Sequence, residues 1–355
     1  MLVHNPKNRV RLNDIAARLK VSPSTVSAVI GRRYKELRIA KETVQRVLEA
    51  AREMGYVPNV TARSLRSANS RERQFVVALM TSYEAPIDLI RNCLEALRKT
   101  SESADSLYAS FVVTVEMFSA GRLRDLPGLL DGKRFNGAII ANTIPDDDAF
   151  LEESLLPYPV VLIGRSVPGY SSISLNQEFI GAKSADILLK TGARRLCVLC
   201  PRVLTQGTRK RLEAFQAAAL RQGSAPPEAI VCQALSESAA CDAMETYLAR
   251  HGQVDGVFAV TDALAVGVYH AIKQRGKRIP RDIAVVGIGD SAITAFLDPP
   301  LTGFSCEPSI FHEDGVRLLM RQLRHDLPAP VEKVFRPQPI LRGSTDRGAL
   351  ARHPG

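Results

Sequence analysis

From residue 75 onward, the sequence alternates short apolar segments typical of β-strands with longer segments whose apolar residues recur at a helical period. Strands that alternate with helices form parallel sheets covered by helices on both faces, so the fold class is α/β and doubly wound. The predicted strands are Phe75–Met80, Phe111–Val115, Gly137–Ala141, Val160–Ile163, Arg195–Cys200, Gly256–Val260 and Ile283–Gly287. The predicted helices include Ile87–Lys99, Phe179–Lys190, Arg209–Arg221, Ala263–Arg275 and Ser309–Arg324.

The alternating part covers residues 74–345, which is more than one doubly wound domain comfortably holds, so two lobes are predicted. No apolar run reaches the length of a membrane-spanning helix, and the N-terminus lacks the apolar stretch of a secretory signal. A cytoplasmic protein without membrane contact is therefore expected.

Two short helices precede this part. Leu12, Ile15, Ala16 and Leu19 form one apolar stripe, and the second helix begins after Ser22 as N-cap. Two short helices joined by a tight turn predict a helix-turn-helix, whose second helix enters the DNA major groove. Its inner face is predicted to hold Val26, Val29 and Ile30, and its outer face Ser24, Thr25, Ser27 and Ala28.

A third helix is predicted over residues 41–54, with a buried stripe of Val44, Val47, Leu48 and Ala51. The loop before it, Arg32–Arg38, is rich in cations that suit phosphate contacts, although a solvated loop is the alternative. Arg32 and Tyr34 are the candidate DNA contacts of this loop.

The chain has a net charge of +10, and this excess lies in its first fifth. Residues 1–73 hold 16 Lys and Arg against six Asp and Glu, whereas the remaining residues hold 31 of each. A basic head on a neutral body indicates a polyanion partner for the head and a separate task for the body.

The head resembles the lac repressor family in two motifs. One is Ser-x-x-Thr-Val-Ser, from Ser22 to Ser27, and the other is Gly-Tyr-x-Pro-Asn-x-x-Ala-Arg-x-Leu, from Gly55 to Leu65. The resemblance implies a helix-turn-helix domain over 1–57 and a hinge over 58–73. In that hinge, Asn59 would cap a short helix, Arg63 would face the DNA, and Leu65 would wedge into the minor groove.

The head departs from the family at three places. Pro23 and Ala28 replace residues that read bases in many relatives, Ala40 stands where a helix cap is usual, and the loop before the third helix is longer. The operator sequence therefore cannot be deduced from these residues.

The resemblance extends through the body, which looks like a type I periplasmic binding protein with a ligand cleft between its lobes. Matching stretches are Arg211–Phe215, Val254–Gly267 and 280–290. The resemblance implies crossings between lobes near residues 172, 304 and 334. Lobe 1 would then comprise about 74–172 and 305–333, lobe 2 about 173–304 and 334–345, and residues 346–355 a tail.

By this resemblance, Arg211 is the arginine that grips the effector, with a surface role as the alternative. The other candidate effector residues are Asp88, Arg165, Phe258, Asp262 and Asp290. Phe258 is equally a core residue, and Asp88 equally a helix N-terminal charge. Asn176 and the displaced Asp290 depart from a sugar-binding pattern and leave the ligand class open, with a carbohydrate or sugar acid as the family's common choice.

The leading hypothesis is a homodimeric repressor that binds a pseudo-palindromic operator and responds to a small molecule. Whether the effector is an inducer or a corepressor stays open. An α/β enzyme is the alternative, but the phosphate-loop, nucleophile-elbow and dinucleotide-binding motifs are missing from the sequence. A third hypothesis, an exported sugar receptor, fits poorly with the basic head. No catalytic residue, metal site or cofactor is predicted, and the tail lacks the heptads of tetrameric relatives.

Overall fold

The structure is a computed structural model. It describes residues 12–30, 34, 37–54, 75–102, 111–251, 253–289, 291–305, 308–324 and 330–347. None of the helices in these ranges is both long and apolar enough to cross a membrane.

The described part of the head consists of three helices: α1 (Leu12–Leu19), α2 (Pro23–Ile30) and α3 (Lys41–Glu53). Their apolar stripes meet in a small core. Two predicted positions are corrected. Ala28 is buried rather than on the outer face, because the short α2 packs against both neighbours. Leu48 is 49% exposed, because Ala50, not Leu48, completes the buried stripe of α3.

The first lobe is built on a parallel six-stranded sheet, which we call sheet 1, with strand order β11-β5-β4-β3-β1-β2. Apolar clusters lie on its two faces. Its strands are β1 (Phe75–Ser82), β2 (Phe111–Phe118), β3 (Gly137–Ala141), β4 (Val160–Ile163), β5 (Ser171–Leu175) and β11 (Glu332–Phe335). Its helices are α4 (Ile87–Glu102), α5 (Pro145–Glu153) and α11 (Pro308–Leu323), with a 3-10 turn at Leu123–Asp125.

The second lobe is built on a parallel four-stranded sheet, sheet 2, with strand order β7-β6-β8-β9 and one large apolar core. Its strands are β6 (Leu196–Pro201), β7 (Glu228–Cys232), β8 (Gly256–Ala259) and β9 (Ala284–Val286). Its helices are α6 (Gln177–Lys190), α7 (Gln206–Arg221), α8 (Glu237–His251), α9 (Asp262–Gln274) and α10 (Ala292–Phe296). An antiparallel ribbon of β10 (Gly303–Ser305) and β12 (Gln338–Ile340) bridges to this sheet, and a 3-10 turn follows at Gly343–Thr345.

The described elements alternate between the lobes three times along the chain. The changes, which we call passages, fall between β5 and α6, between β10 and α11, and between β11 and β12. Phe179 lies at these passages, where its ring packs edge-on against Phe304 and under the guanidinium of Arg336. The predicted α/β architecture with two sheets is confirmed, while the numerical domain limits stay predictions.

Candidate functional site: a helix-turn-helix and an interlobe cavity

The N-terminus of α2 presents a cluster of hydroxyl groups. Ser22 Oγ accepts a hydrogen bond from the backbone N–H of Thr25 at 3.0 Å, which caps the helix as the sequence predicts. The same oxygen lies 2.7 Å from Ser24 Oγ and 2.8 Å from Thr25 Oγ1. Ser24 is exposed, and Thr25 and Ser27 are partly exposed. This end of the helix can therefore offer hydroxyl groups to a ligand in the manner of a recognition helix.

The rest of the predicted DNA-binding set is only partly covered by the structure. Tyr34 packs at the edge of the head core, and its carbonyl accepts the N–H of Ile39 at 2.9 Å. Arg32 in the basic loop, the hinge residues Asn59, Arg63 and Leu65, and Asp290 in the body lie outside the described residues. Their roles stay predictions.

A cavity of about 330 Å³ lies where the carboxyl ends of the strands of both sheets meet. Ser82, Asn142 and Leu175 line it from sheet 1, and Pro201, Gln233 and Thr261 from sheet 2. Open α/β sheets bind ligands at this end of their strands, and the volume suits a small molecule. The cavity is therefore the candidate effector site.

Arg211 lies in the lining on the side of the second lobe. Its Nε donates to Gln177 Oε1 at 2.7 Å, and its Nη1 donates to the Val260 carbonyl at 2.7 Å. Gln177 lies on α6 and Arg211 on α7. Gly181 allows these two helices to pack closely, because a Cβ at that position would lie only 2.2 Å from the Arg211 carbonyl oxygen. Burial lowers the pKa of Arg211 to about 10, which still leaves its guanidinium charged at neutral pH.

Arg165 lies in the lining on the side of the first lobe and is 5% exposed. Gly164, with φ +81°, directly follows β4 and also lines the cavity. Arg165 donates to the Ile163 carbonyl at 3.2 Å and to Thr143 Oγ1, which in turn donates to Asp148. Burial lowers the pKa of Arg165 to about 10, and burial raises the pKa of Asp148.

The two lobes touch directly beside the cavity. Gln206, the first residue of α7, accepts the N–H of Ser166 at 3.2 Å and donates to the Ser166 carbonyl at 3.2 Å. A Cβ at Gly207 would lie 3.3 Å from the Gly164 carbonyl oxygen, so the backbones approach closely here. We call this pair of hydrogen bonds the Gln206 bridge.

The structure places three of the predicted effector residues outside the cavity lining, and their role in effector binding stays a prediction. Asp88 projects from α4 and pairs with Arg91 at 3.0 Å. Phe258 is fully buried on β8 and packs against Phe215, with ring centroids 4.9 Å apart. Asp262 accepts hydrogen bonds from the N–H and hydroxyl of Ser291, at 3.1 and 2.7 Å, and so secures the loop after β9.

Sequence reasoning missed Gln177, Thr143 and Glu84. Gln177 opens α6 directly after β5, a strand that the sequence analysis does not predict, and Thr143 follows β3 by two residues. A search for polar residues just past every strand end would have found Thr143 and Gln177. Within the described ranges, no group of three or more His, Cys, Asp or Glu stands where it could hold a metal ion.

Comparison with known proteins finds a separate match for the head and for the body. Residues 11–59 match the profile of bacterial regulatory proteins of the lacI family, and residues 185–345 match a periplasmic binding protein-like domain. The HTH-type transcriptional regulator CelR of Thermobifida fusca is 28% identical over 360 residues, covering 95% of this chain and 99% of that protein.

Two solved structures share the fold across nearly the whole chain. The lac repressor dimer bound to operator and an anti-inducer superimposes with a TM-score of 0.68 at 22% identity, covering 95% of this chain and 99% of that one. The complex of the regulator CelR with cellobiose gives 0.65 at 24% identity, covering 95% and 100%. At these identities the structural likeness speaks for the fold.

Proposed function

Because this chain belongs to the lacI family of DNA-binding transcription regulators, we propose that it is a repressor whose hold on operator DNA is controlled by a small molecule in the interlobe cavity. The observation that carries the proposal is the presence of a helix-turn-helix head and a cavity lined from both sheets in one chain. One part reads DNA and the other senses a ligand.

In the head, α2 enters the major groove with its hydroxyl-bearing N-terminus toward the bases. Ser22, Ser24, Thr25 and Ser27 supply the contacts of this helix, and Arg32 and Tyr34 those of the following loop. Asn59, Arg63 and Leu65 act in a hinge that orders on the operator. The net charge of +10 in residues 1–73 supplies the phosphate attraction.

In the body, a carbohydrate-like effector binds between Arg165 and Arg211. The cellobiose complex of CelR supports this ligand class. A ligand that contacts both lobes favours one angle between them, and only such a preference can shift the affinity for DNA. Because the lobes are joined by three passages, a change in their angle reaches the start of the body at β1, next to the hinge.

The active form is a homodimer in the cytoplasm, bound to nucleoid DNA. Large apolar side chains stand exposed on both lobes, among them Tyr83 at 64%, Ile87 at 75%, Ile293 at 52% and Phe296 at 82%. Exposed apolar groups of this kind mark protein interfaces, and two copies related by a twofold axis match a pseudo-palindromic operator. The relatives are transcription regulators, and no catalytic step is assigned to this chain.

The test is selection of bound fragments from the source genome by the full-length protein, followed by footprinting. We expect protection of a pseudo-palindromic site and an affinity that falls steeply as salt increases, because phosphate contacts release counterions. A Leu65→Ala variant should bind that site several-fold more weakly while it folds normally. Retention of all fragments with equal affinity would contradict the proposal.

A further inference from the structure

Two turns in the described part of the head place a cation in the left-handed region of the backbone. Lys20, between α1 and α2, has φ +53°, and Arg38, shortly before α3, has φ +46°. A residue with a Cβ adopts this region only at a cost, so glycine is the usual residue there. Both cations are exposed. Among the described residues, the third non-glycine with a positive φ is Asn142, a residue type that tolerates it.

The hydrogen bonds around Lys20 show that its turn requires this conformation. The N–H of Val21 donates to the Ala16 carbonyl at 3.1 Å, and the N–H of Lys20 donates to the Ala17 carbonyl at 3.3 Å. These two bonds form the Schellman motif, which ends a helix with one left-handed residue, usually glycine. Val21 and Ala16 also pack in the head core, and a contact of this kind accompanies the motif. Lys20 therefore occupies a glycine position.

The turn that contains Arg38 is closed in the same way. The N–H of Ile39 donates to the Tyr34 carbonyl at 2.9 Å, which is the longer bond of the same motif, and both side chains pack against the head core. Arg38 holds the left-handed position directly before Ile39. The head thus contains this arrangement twice, and each time a cation stands where glycine is favoured.

The body uses glycine in the same motif. Gly223 follows α7 with φ +77°, and Gly276 follows α9 with φ +66°. In both turns, the N–H of the residue after the glycine donates to the carbonyl four residues before it, at 3.0 and 3.2 Å. The body has equal numbers of acidic and basic residues, whereas the head holds the whole positive excess. The motif itself does not call for a cation, so the reason for one lies in what the head does.

We propose that Lys20 and Arg38 contact the phosphate backbone of DNA, and that the head tolerates two unfavourable turn residues because they carry these cations. The inference rests on the proposed function, since it names further contacts of the same DNA-binding head. Lys20 stands two residues before Ser22, the cap of the helix that enters the major groove, and Arg38 ends the basic loop. Phosphates border the groove on both sides, and contacts to them fix the position of the recognition helix.

Glycine substitutions test the inference, because stability and binding should change in opposite directions. In Lys20→Gly and Arg38→Gly the backbone cost is relieved, so amide hydrogen exchange of α1–α3 in the full-length protein should slow by about threefold. Each lost phosphate contact lowers the slope of log affinity against log salt by about 0.9, hence by about 1.8 in the proposed dimer, which carries each residue twice. Affinity for DNA at about 0.1 M salt should fall tenfold or more.

Three further variants serve as controls. Lys20→Arg keeps a cation and should bind DNA as the native protein does. Lys20→Asn removes the charge with a residue that tolerates the left-handed region, so it tests the contact even where a glycine variant fails to fold. Arg18→Gln removes one charge from α1, where Arg18 pairs with Glu53 at 2.5 Å, and should leave the salt slope nearly unchanged.

Binding is measured on a selected operator fragment and on an unrelated duplex of equal length, because phosphate contacts act on any sequence. Glycine and asparagine variants whose affinity and salt slope equal those of Arg18→Gln would overturn the inference. A loss of affinity that appears only in variants with faster exchange in the head would also overturn it, since the side chains would then be structural. If the native protein prefers no fragment, the proposed repressor function fails, while the salt slopes on the unrelated duplex still decide the inference.

Discussion

Phe258 illustrates why a match to a family leaves the role of a strand residue open between the ligand cleft and the core. Successive residues of a strand point to opposite faces, so a phenylalanine near a strand end can enter either the cleft or the core. On β8 the ring turns into the core of the second lobe, where it meets Phe215. Asp262, another candidate effector residue, likewise has a partner within the protein, because its carboxylate accepts a hydrogen bond from the hydroxyl of Ser291.

Replacement of Phe258 by Ala should therefore act on stability. Removal of a fully buried ring leaves a cavity, and the free energy of unfolding should fall by about 3–5 kcal/mol. Urea denaturation followed by circular dichroism measures the change. Val203→Ala, at a cavity-lining residue that is 49% exposed, should change stability by less than about 0.5 kcal/mol. A Phe258→Ala protein of native stability would contradict the core role and favour a contact between Phe258 and the effector.

Residues whose role depends on distant partners could not be assigned from local pattern. Ser171 is buried, and its hydroxyl meets Gln322 on α11 and accepts the N–H of Val331 at 2.9 Å. These partners lie 151 and 160 residues further along the chain. In the same way, nothing near Gln177 in the sequence indicates that it would orient Arg211.

At the scale of elements, the strength of the apolar pattern decided which ones could be predicted. All seven predicted strands are present, because each is a run of mostly apolar residues, and all of them except the partly exposed edge strand β2 are largely buried on both faces. The strands β5, β7, β10, β11 and β12 were missed. These strands are short or carry Ser, Glu, Lys or Gln. In addition, β7 and β11 are edge strands, and most of their residues are exposed.

Helix α6 depends on a cap at the first passage between lobes. Asn176 Oδ1 accepts the N–H of Phe179 at 2.8 Å, and its own N–H donates to the Phe335 carbonyl at 2.8 Å. Asn176→Ala should lower the free energy of unfolding by about 1 kcal/mol, because the side-chain cap is lost. Asn176→Asp keeps an acceptor at the helix N-terminus and should preserve stability. Equal urea midpoints for the two variants would contradict the capping role.

At the scale of the whole molecule, the two-lobed plan followed from the length of the α/β segment, whereas the contacts between lobes did not. The Gln206 bridge joins a side chain of the second lobe to the backbone of the first. Such a contact depends on how two independently folded surfaces meet, which periodicity does not encode. The same holds for the packing of Phe179 between Phe304 and Arg336.

Loss of the Gln206 bridge should favour a more open arrangement. Gln206→Ala removes two hydrogen bonds, each of which contributes about 0.5–1.5 kcal/mol, so the balance between closed and open forms should shift by roughly tenfold or more. Small-angle X-ray scattering of the ligand-free protein should show a larger radius of gyration. Gln216→Ala, which removes a contact within the second lobe, should leave the radius unchanged. An unchanged radius in the Gln206 variant would show that other contacts set the angle.

The three passages between the lobes also bear on the order in which the protein is made. Sheet 1 receives its edge strand only at residues 332–335, so the first lobe stays incomplete until the ribosome has delivered nearly the whole chain. The helices of the head are finished by residue 53 and can fold much earlier. A translation product that stops short of β11 would thus carry a folded head beside an incomplete first lobe. Removal of such fragments therefore bears directly on gene regulation.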